Sequence, residues 1–130
     1  MKEITVERIL ARALESLTDT QHLLEKSRFD FAVNRAYYTM YHSIQALLSV
    51  KSLRVRSLQK THAAFYRELI LTNKLPRRLE ELLKRTFKKS QLADYSYSKM
   101  EETDAIEAFA DAEFFFNVSV QYLIANNYLK

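Results

Sequence analysis

The chain has 130 residues, 48% hydrophobic and 28% charged, with no Gly, Cys or Trp, one Pro and a net charge of +4. That size and balance predict one soluble globular domain over 1–130 with a single core. Without Gly there is no phosphate loop, GxGxxG turn or standard calcium loop, and without Cys no disulfide, thiolate metal site or thiol nucleophile.

Apolar spacing marks five helical segments. The first is predicted over Val6–Lys26 with Thr5 as N-cap, a stripe of Leu10, Leu14, Leu17 and Leu24, and Ile9, Ala13 and Leu23 beside it. After a break at Ser27–Phe29, Asp30 is expected to cap a second helix over Phe31–Leu53, with Tyr37, Met40, Tyr41, Ile44, Leu47 and Leu48 as apolar positions. Arg54–Ser57 reads as a basic loop. A third helix spans Leu58–Thr72, with Phe65, Leu69 and Thr72 on one side. Pro76 suits the first turn of a fourth helix through Leu79, Leu82, Leu83 and Phe87. Ser90–Glu102 reads as a connection. Thr103, followed by Asp104, is expected to cap a last helix to about Asn126, with a stripe of Ile106, Phe109, Ala110, Phe116, Val120 and Leu123. Phe114, Phe115 and Phe116 cover more than half its circumference, which suits a helix buried on two sides or a subunit interface. No segment has strand periodicity, so the predicted class is all-α, an antiparallel bundle of four long helices.

The longest charge-free run, Phe114–Leu129, has 16 residues and several Asn, Ser and Gln, against the roughly 20 apolar residues of a membrane span. The N-terminal stretch is charged throughout, unlike a secretory signal, so a cytoplasmic protein with no membrane association is expected. Charge is segregated: residues 51–89 carry net +9 and residues 90–130 net −5. The basic stretch either neutralises phosphates or packs beside the acidic one.

Among three histidines, His22 reads as a surface residue, and His42 and His62 are the candidates for chemistry. There is no HxxxH or HExxH, so neither a metal nor another cofactor is expected. The densest polar cluster is Asn34–His42. Arg35 and His42 are seven apart, about two turns, so they share a helix face about 20° out of register, with Tyr38 between them. Asn34 and Tyr41 form a neighbouring pair. A guanidinium that grips phosphate and an imidazole that titrates near neutrality suit RNA transesterification without a metal. The axial rise between them is about 10 Å, so one phosphate reaches both only if Arg35 extends along the helix or a second copy contributes. The plainer alternative makes Tyr37, Tyr38 and Tyr41 bundle aromatics and pairs Arg35 with a carboxylate such as Asp94.

The string NRAYYTMYHSIQALL at Asn34–Leu48, followed by Lys60-Thr61-His62 and Ala93-Asp94-Tyr95, resembles the signature of HEPN-domain proteins, small helical domains named for higher eukaryotes and prokaryotes nucleotide-binding. It is most similar to their stand-alone bacterial and archaeal branch. The resemblance implies an up-down four-helix bundle with a short additional helix, usually dimeric. It also implies RNA or nucleotide as ligand and, in some members, pairing as a toxin with a minimal nucleotidyltransferase antitoxin. The family motif is Arg, four to six residues, then His, and six separate Arg35 from His42. By that likeness Arg35 and His42 would be catalytic in a metal-independent ribonuclease, or hold a nucleotide or partner without catalysis. Asn34, Tyr38 and Asp94 would line the site, and Tyr41 is expected to contact substrate with them. His62 in the KTH element is expected to be structural. Ala36 stands where active ribonucleases of the family usually have a polar residue. Ile44 stands where toxins silenced by nucleotidyl transfer often carry a Tyr.

Overall fold

The structure, a computed structural model, describes residues 4–97 and 99–130. Every regular element among them is helical: α1 (Val6–Glu25), α2 (Phe29–Ser49), α3 (Leu58–Phe65) continued by a π-helical turn (Tyr66–Ile70), α4 (Arg77–Tyr95) and α5 (Glu102–Ala125). The four long helices form an up-down bundle and α3 is the short additional one. Helix α2 packs against α1, α3, α4 and α5, and its Tyr37, Met40, Ile44 and Leu47 form the centre of the core.

Helix α1 starts as expected. Thr5 is extended and its hydroxyl accepts the Arg8 N–H at 3.2 Å. The buried face is Leu10, Ala13, Ser16, Leu17 and Thr20, while Leu14 is 51% exposed. At 100° per residue Leu14 lies roughly 100° from the centre of that face, too far round to reach α2.

Helix α2 begins at Phe29, so Asp30 is not its cap. The Asp30 carboxylate instead accepts the Met100 N–H at 3.0 Å and ties the start of α2 to the α4–α5 connection. The third helix is not α-helical throughout. The Leu71 N–H bonds the Tyr66 carbonyl at 2.8 Å, and this wider turn leaves Thr72 exposed rather than beside Phe65 and Leu69. Pro76 is the N-cap of α4, just outside the helix. Helix α4 then runs on to Tyr95, into the first part of the stretch read as a connection, because Ser90 is buried and Ala93 packs on the core.

Helix α5 is capped by Glu101, not Thr103. The Glu101 side chain accepts the Asp104 N–H, and the Asp104 carboxylate accepts the Glu101 N–H at 3.0 Å. Its buried face is Ala105, Ala108, Asp111, Ala112, Phe115, Ser119 and Leu123. Only Leu123 of the predicted stripe is fully buried, and Ile106 is 49% exposed. Small residues at Ala105, Ala108, Ala112 and Ser119 make up most of that face, with Phe115 and Leu123 as its large apolar members. Of the three consecutive phenylalanines, Phe115 is buried against Phe65 with ring centroids 5.5 Å apart, Phe116 is half-buried and Phe114 is exposed.

Part of the basic stretch does pack beside the acidic one. Arg85 on α4 donates twice to Asp111 on α5, at 2.6 and 2.8 Å, and Lys89 reaches Glu107 at 2.6 Å. The ends of the helices solve a different problem. Ser27, Ser52, Asn73, Tyr97 and Asn127 all have φ between 57° and 65°, the left-handed region that usually falls to Gly. After α1 the Arg28 N–H reaches the Leu23 carbonyl at 2.8 Å, and the Ser27 N–H reaches that of Leu24 at 3.0 Å, so the last carbonyls are satisfied despite the strain.

Two stability predictions follow from these contacts. Ser27→Gly is expected to raise unfolding free energy by about 0.5 kcal/mol, and Ser27→Val to lower it by about 1 kcal/mol. Asp111→Asn is expected to lower it by about 1–3 kcal/mol, because Arg85 loses a bidentate, largely buried partner. Urea denaturation of the three variants checks both.

Candidate functional site

One flank of α2 is core and the next is polar. Val33, Ala36, Tyr37, Met40 and Ile44 are buried, whereas Asn34, Arg35, Tyr38, Tyr41 and His42 are each half-buried. The Arg35 guanidinium carbon lies 5.4 Å from the Tyr38 ring centroid, and that ring lies 6.1 Å from the His42 ring. The three side chains therefore form a continuous column along the helix, at the i, i+3 and i+7 positions. Tyr41 flanks it, with its ring 5.6 Å from His42 and its hydroxyl donating to the Arg56 carbonyl at 3.4 Å.

Helix α1 faces the column. Arg35 Nη2 donates to the buried Ser16 hydroxyl at 2.9 Å. Arg35 Nε is buried with no hydrogen-bond partner, and among the described residues Arg35 forms no ion pair. The pairing of Arg35 with Asp94 is not formed. Asp94 accepts instead from Asn34 Nδ2 at 3.0 Å, joining α4 to α2 one residue before Arg35. An orphaned N–H on a half-buried cation costs about 1–3 kcal/mol, a cost that an anionic ligand would offset.

His42 opens into a cavity of about 570 Å³, lined also by Arg8 and Arg12 from α1, Gln45 and Ser49 from α2, and Arg54 from the α2–α3 loop. No carboxylate lines it among the described residues, and Arg35 is not part of its wall. Burial first, then the Arg12 and Arg35 guanidinia, push the His42 imidazole down to about 4. The ring is thus neutral at pH 7, in the form that accepts a proton. Arg8, Arg12 and Arg54 are absent from the predicted site. The first two sit at i and i+4 on the polar side of α1, and that spacing is the signal that would have found them.

The KTH element turns inward. Burial and the neighbouring Tyr38 and Tyr41 raise the Tyr37 phenol, which stays protonated and shares a 2.7 Å hydrogen bond with His62 Nε2. Burial lowers His62 in turn, and its ring packs 4.9 Å from Phe87. Thr61 accepts from Gln45 Nε2 at 3.1 Å and donates to the Ser57 carbonyl at 2.8 Å. These contacts hold the α2–α3 loop against the site and keep His62 out of the cavity.

The HEPN domain pattern matches residues 6–123, from the first turn of α1 almost to the end of α5. The chain belongs to the HEPN domain family. Among similar proteins, one from Methanocaldococcus jannaschii that carries the name "Putative toxin" is 30% identical over 96% of this chain and 86% of its own. A second from that organism, with the same name, is 32% identical over 85% of this chain and 82% of its own. A Thermotoga maritima protein named "UPF0332 protein" is 36% identical over 72% of this chain and 71% of its own. In this HEPN chain Ala36 and Ile44 are both wholly buried in the core, so neither position faces the cavity.

NMR titration of His42 is expected to give a midpoint near pH 4 in the free protein. Inorganic phosphate should move it upward, since an anion beside the imidazole favours its charged form. Arg12→Ala should also move it upward in the free protein.

Proposed function

We propose that this HEPN protein binds RNA and cleaves it without a metal, as a cytoplasmic homodimer and as the toxin half of a pair whose antitoxin is a minimal nucleotidyltransferase. The observation that carries the reading is the Arg35–Tyr38–His42 column, ending in a neutral imidazole at the mouth of a cavity walled by three arginines. His42 takes the proton of a ribose 2′-hydroxyl. The freed oxygen attacks the adjacent phosphorus, the bond to the 5′-oxygen breaks, and that oxygen leaves with a proton taken from solvent water or from the imidazolium that His42 has become. The product is a 2′,3′-cyclic phosphate. Guanidinia stabilise the charge that builds on the phosphorus oxygens, with Arg35 as the catalytic one. Asn34, Tyr38, Tyr41 and Asp94 border the path of the strand. Arg35 and His42 stand about 10 Å apart along the helix, which favours a second copy bringing the complementary group to each phosphate. The toxin assignment is supported by the names of the two archaeal relatives.

The test is incubation with RNA in chelator. Wild type should yield 2′,3′-cyclic ends, and folded His42→Ala and Arg35→Ala should lose about 100-fold or more in rate. Undiminished cleavage by folded His42→Ala would overturn the assignment. If two copies build each site, mixing the two inactive variants restores part of the activity.

One observation favours a second reading. Arg35 is held by Ser16 and does not line the cavity, whose volume suits a single nucleotide. In that case the pocket binds a nucleotide or a partner without cleaving anything. Saturable nucleotide binding that is lost in Arg12→Ala, with no RNA cleavage, would select it.

A further inference from the structure

A second basic hollow adjoins the first. It has a volume of about 590 Å³ and is lined by Arg54, Arg56, Ser57, Lys60 and Arg67, with Val55, Ala63 and Ala64 beneath them. Arg54 belongs to the walls of both hollows, so the two are continuous around its side chain. No carboxylate lines either wall among the described residues. Among the described residues, Arg67 alone of these cations has an ion-pair partner, Glu68 at 3.0 Å. The contrast with α4 is plain, since Arg85 and Lys89 there are matched by acids on α5.

The loop backbone beside the second hollow is tied to α2. The Val55 carbonyl accepts from Gln45 Nε2 at 2.9 Å, and the Arg56 carbonyl accepts from the Tyr41 hydroxyl at 3.4 Å. Ser57 caps α3 by accepting the Lys60 N–H at 3.1 Å. A basic loop tethered at successive carbonyls by residues of the candidate site presents a row of cations beside it. Such a row costs charge repulsion that a polyanion would relieve.

We propose that the hollow at Arg56 and Lys60 is a backbone subsite for single-stranded RNA, taking the phosphates that flank the one held at His42. The inference rests on the RNA reading of the His42 cavity and extends it, making the natural substrate a strand of several nucleotides rather than a mononucleotide or dinucleotide. A single strand fits the chemistry, because in-line attack by a 2′-hydroxyl requires a backbone free to leave A-form geometry.

The experiment uses 2′-O-methyl RNA, which lacks the attacking hydroxyl, as a dinucleotide and as an octanucleotide. Binding to the full chain is measured across a salt series for wild type, Arg56→Ala/Lys60→Ala, and the control Arg77→Ala/Lys88→Ala. The control removes two exposed charges of α4 that line neither hollow. Wild type should bind the octanucleotide more tightly than the dinucleotide. The Arg56/Lys60 variant should lose about 10-fold or more for the octanucleotide, with its salt slope shallower by about 1.4, and should bind the dinucleotide as wild type does. The control should bind both as wild type does. An octanucleotide affinity unchanged in the Arg56/Lys60 variant, or equally weakened in the control, would overturn the subsite. So would displacement of the octanucleotide by polyglutamate at equal charge, which would give the hollow to an acidic protein surface. Wild type that binds the dinucleotide but gains nothing with length would remove the subsite and leave the His42 reading standing. Wild type that binds neither would remove both.

Discussion

Helix α2 is enclosed by α1, α3, α4 and α5, so each polar side chain on it must find a partner or an opening. The chain meets that requirement in three ways. Thr39 and Ser43 turn their hydroxyls back to carbonyls of their own helix, at 3.1 and 2.8 Å. Tyr37 shares its hydroxyl with His62 inside the core. Arg35, Tyr38 and His42 line up on the one flank where α1 leaves room, and there the satisfaction is incomplete. The unpartnered Nε of Arg35 and the uncharged ring of His42 are two results of the same partial burial.

The handling of cations divides the molecule. Between α4 and α5 they are matched by carboxylates at short range, and that matching helps hold the bundle together. Around the α2–α3 loop and the facing side of α1 they are gathered in hollows that no carboxylate lines among the described residues. His42 adds no further positive charge there, because its surroundings hold it neutral. The local excess thus comes from guanidinium and ammonium groups. Net charge alone would not distinguish the two regions, since Arg54, Arg56 and Lys60 of one and Arg85 and Lys89 of the other belong to the same basic stretch of sequence.

The helices were readable where a strong local signal agreed with the packing. Thr5 began α1, and the apolar positions of α2 from Tyr37 to Leu48 lie in or against the core. The sequence misleads where packing overrode local preference. In α5 the large residues suggested the buried face, but Ala105, Ala108 and Ala112 make up much of it. Asp30 and Thr103 looked like caps, yet Asp30 bonds Met100 and Glu101 caps α5. In the site, the shared face of Arg35 and His42 followed from helical spacing alone. The arginines around His42 did not, because they come from two segments, α1 and the α2–α3 loop, that only the tertiary fold brings together. That Asp94 would meet Asn34 rather than Arg35 was likewise beyond reach, since a shift of one residue along α2 decides it.

Helix α1 touches three parts of the site at once. Arg8 walls the cavity, Arg12 depresses the imidazole, and Ser16 holds the guanidinium, all at intervals of four along one side of the helix. Among the described elements α1 packs only on α2 and α5. The three are therefore mechanically linked: any slide or roll of α1 against α2 would change pocket width, proton affinity and the grip on Arg35 together. Substitutions at Leu10 or Leu17, remote from any ligand, would retune all three in concert while leaving every polar residue of the site in place.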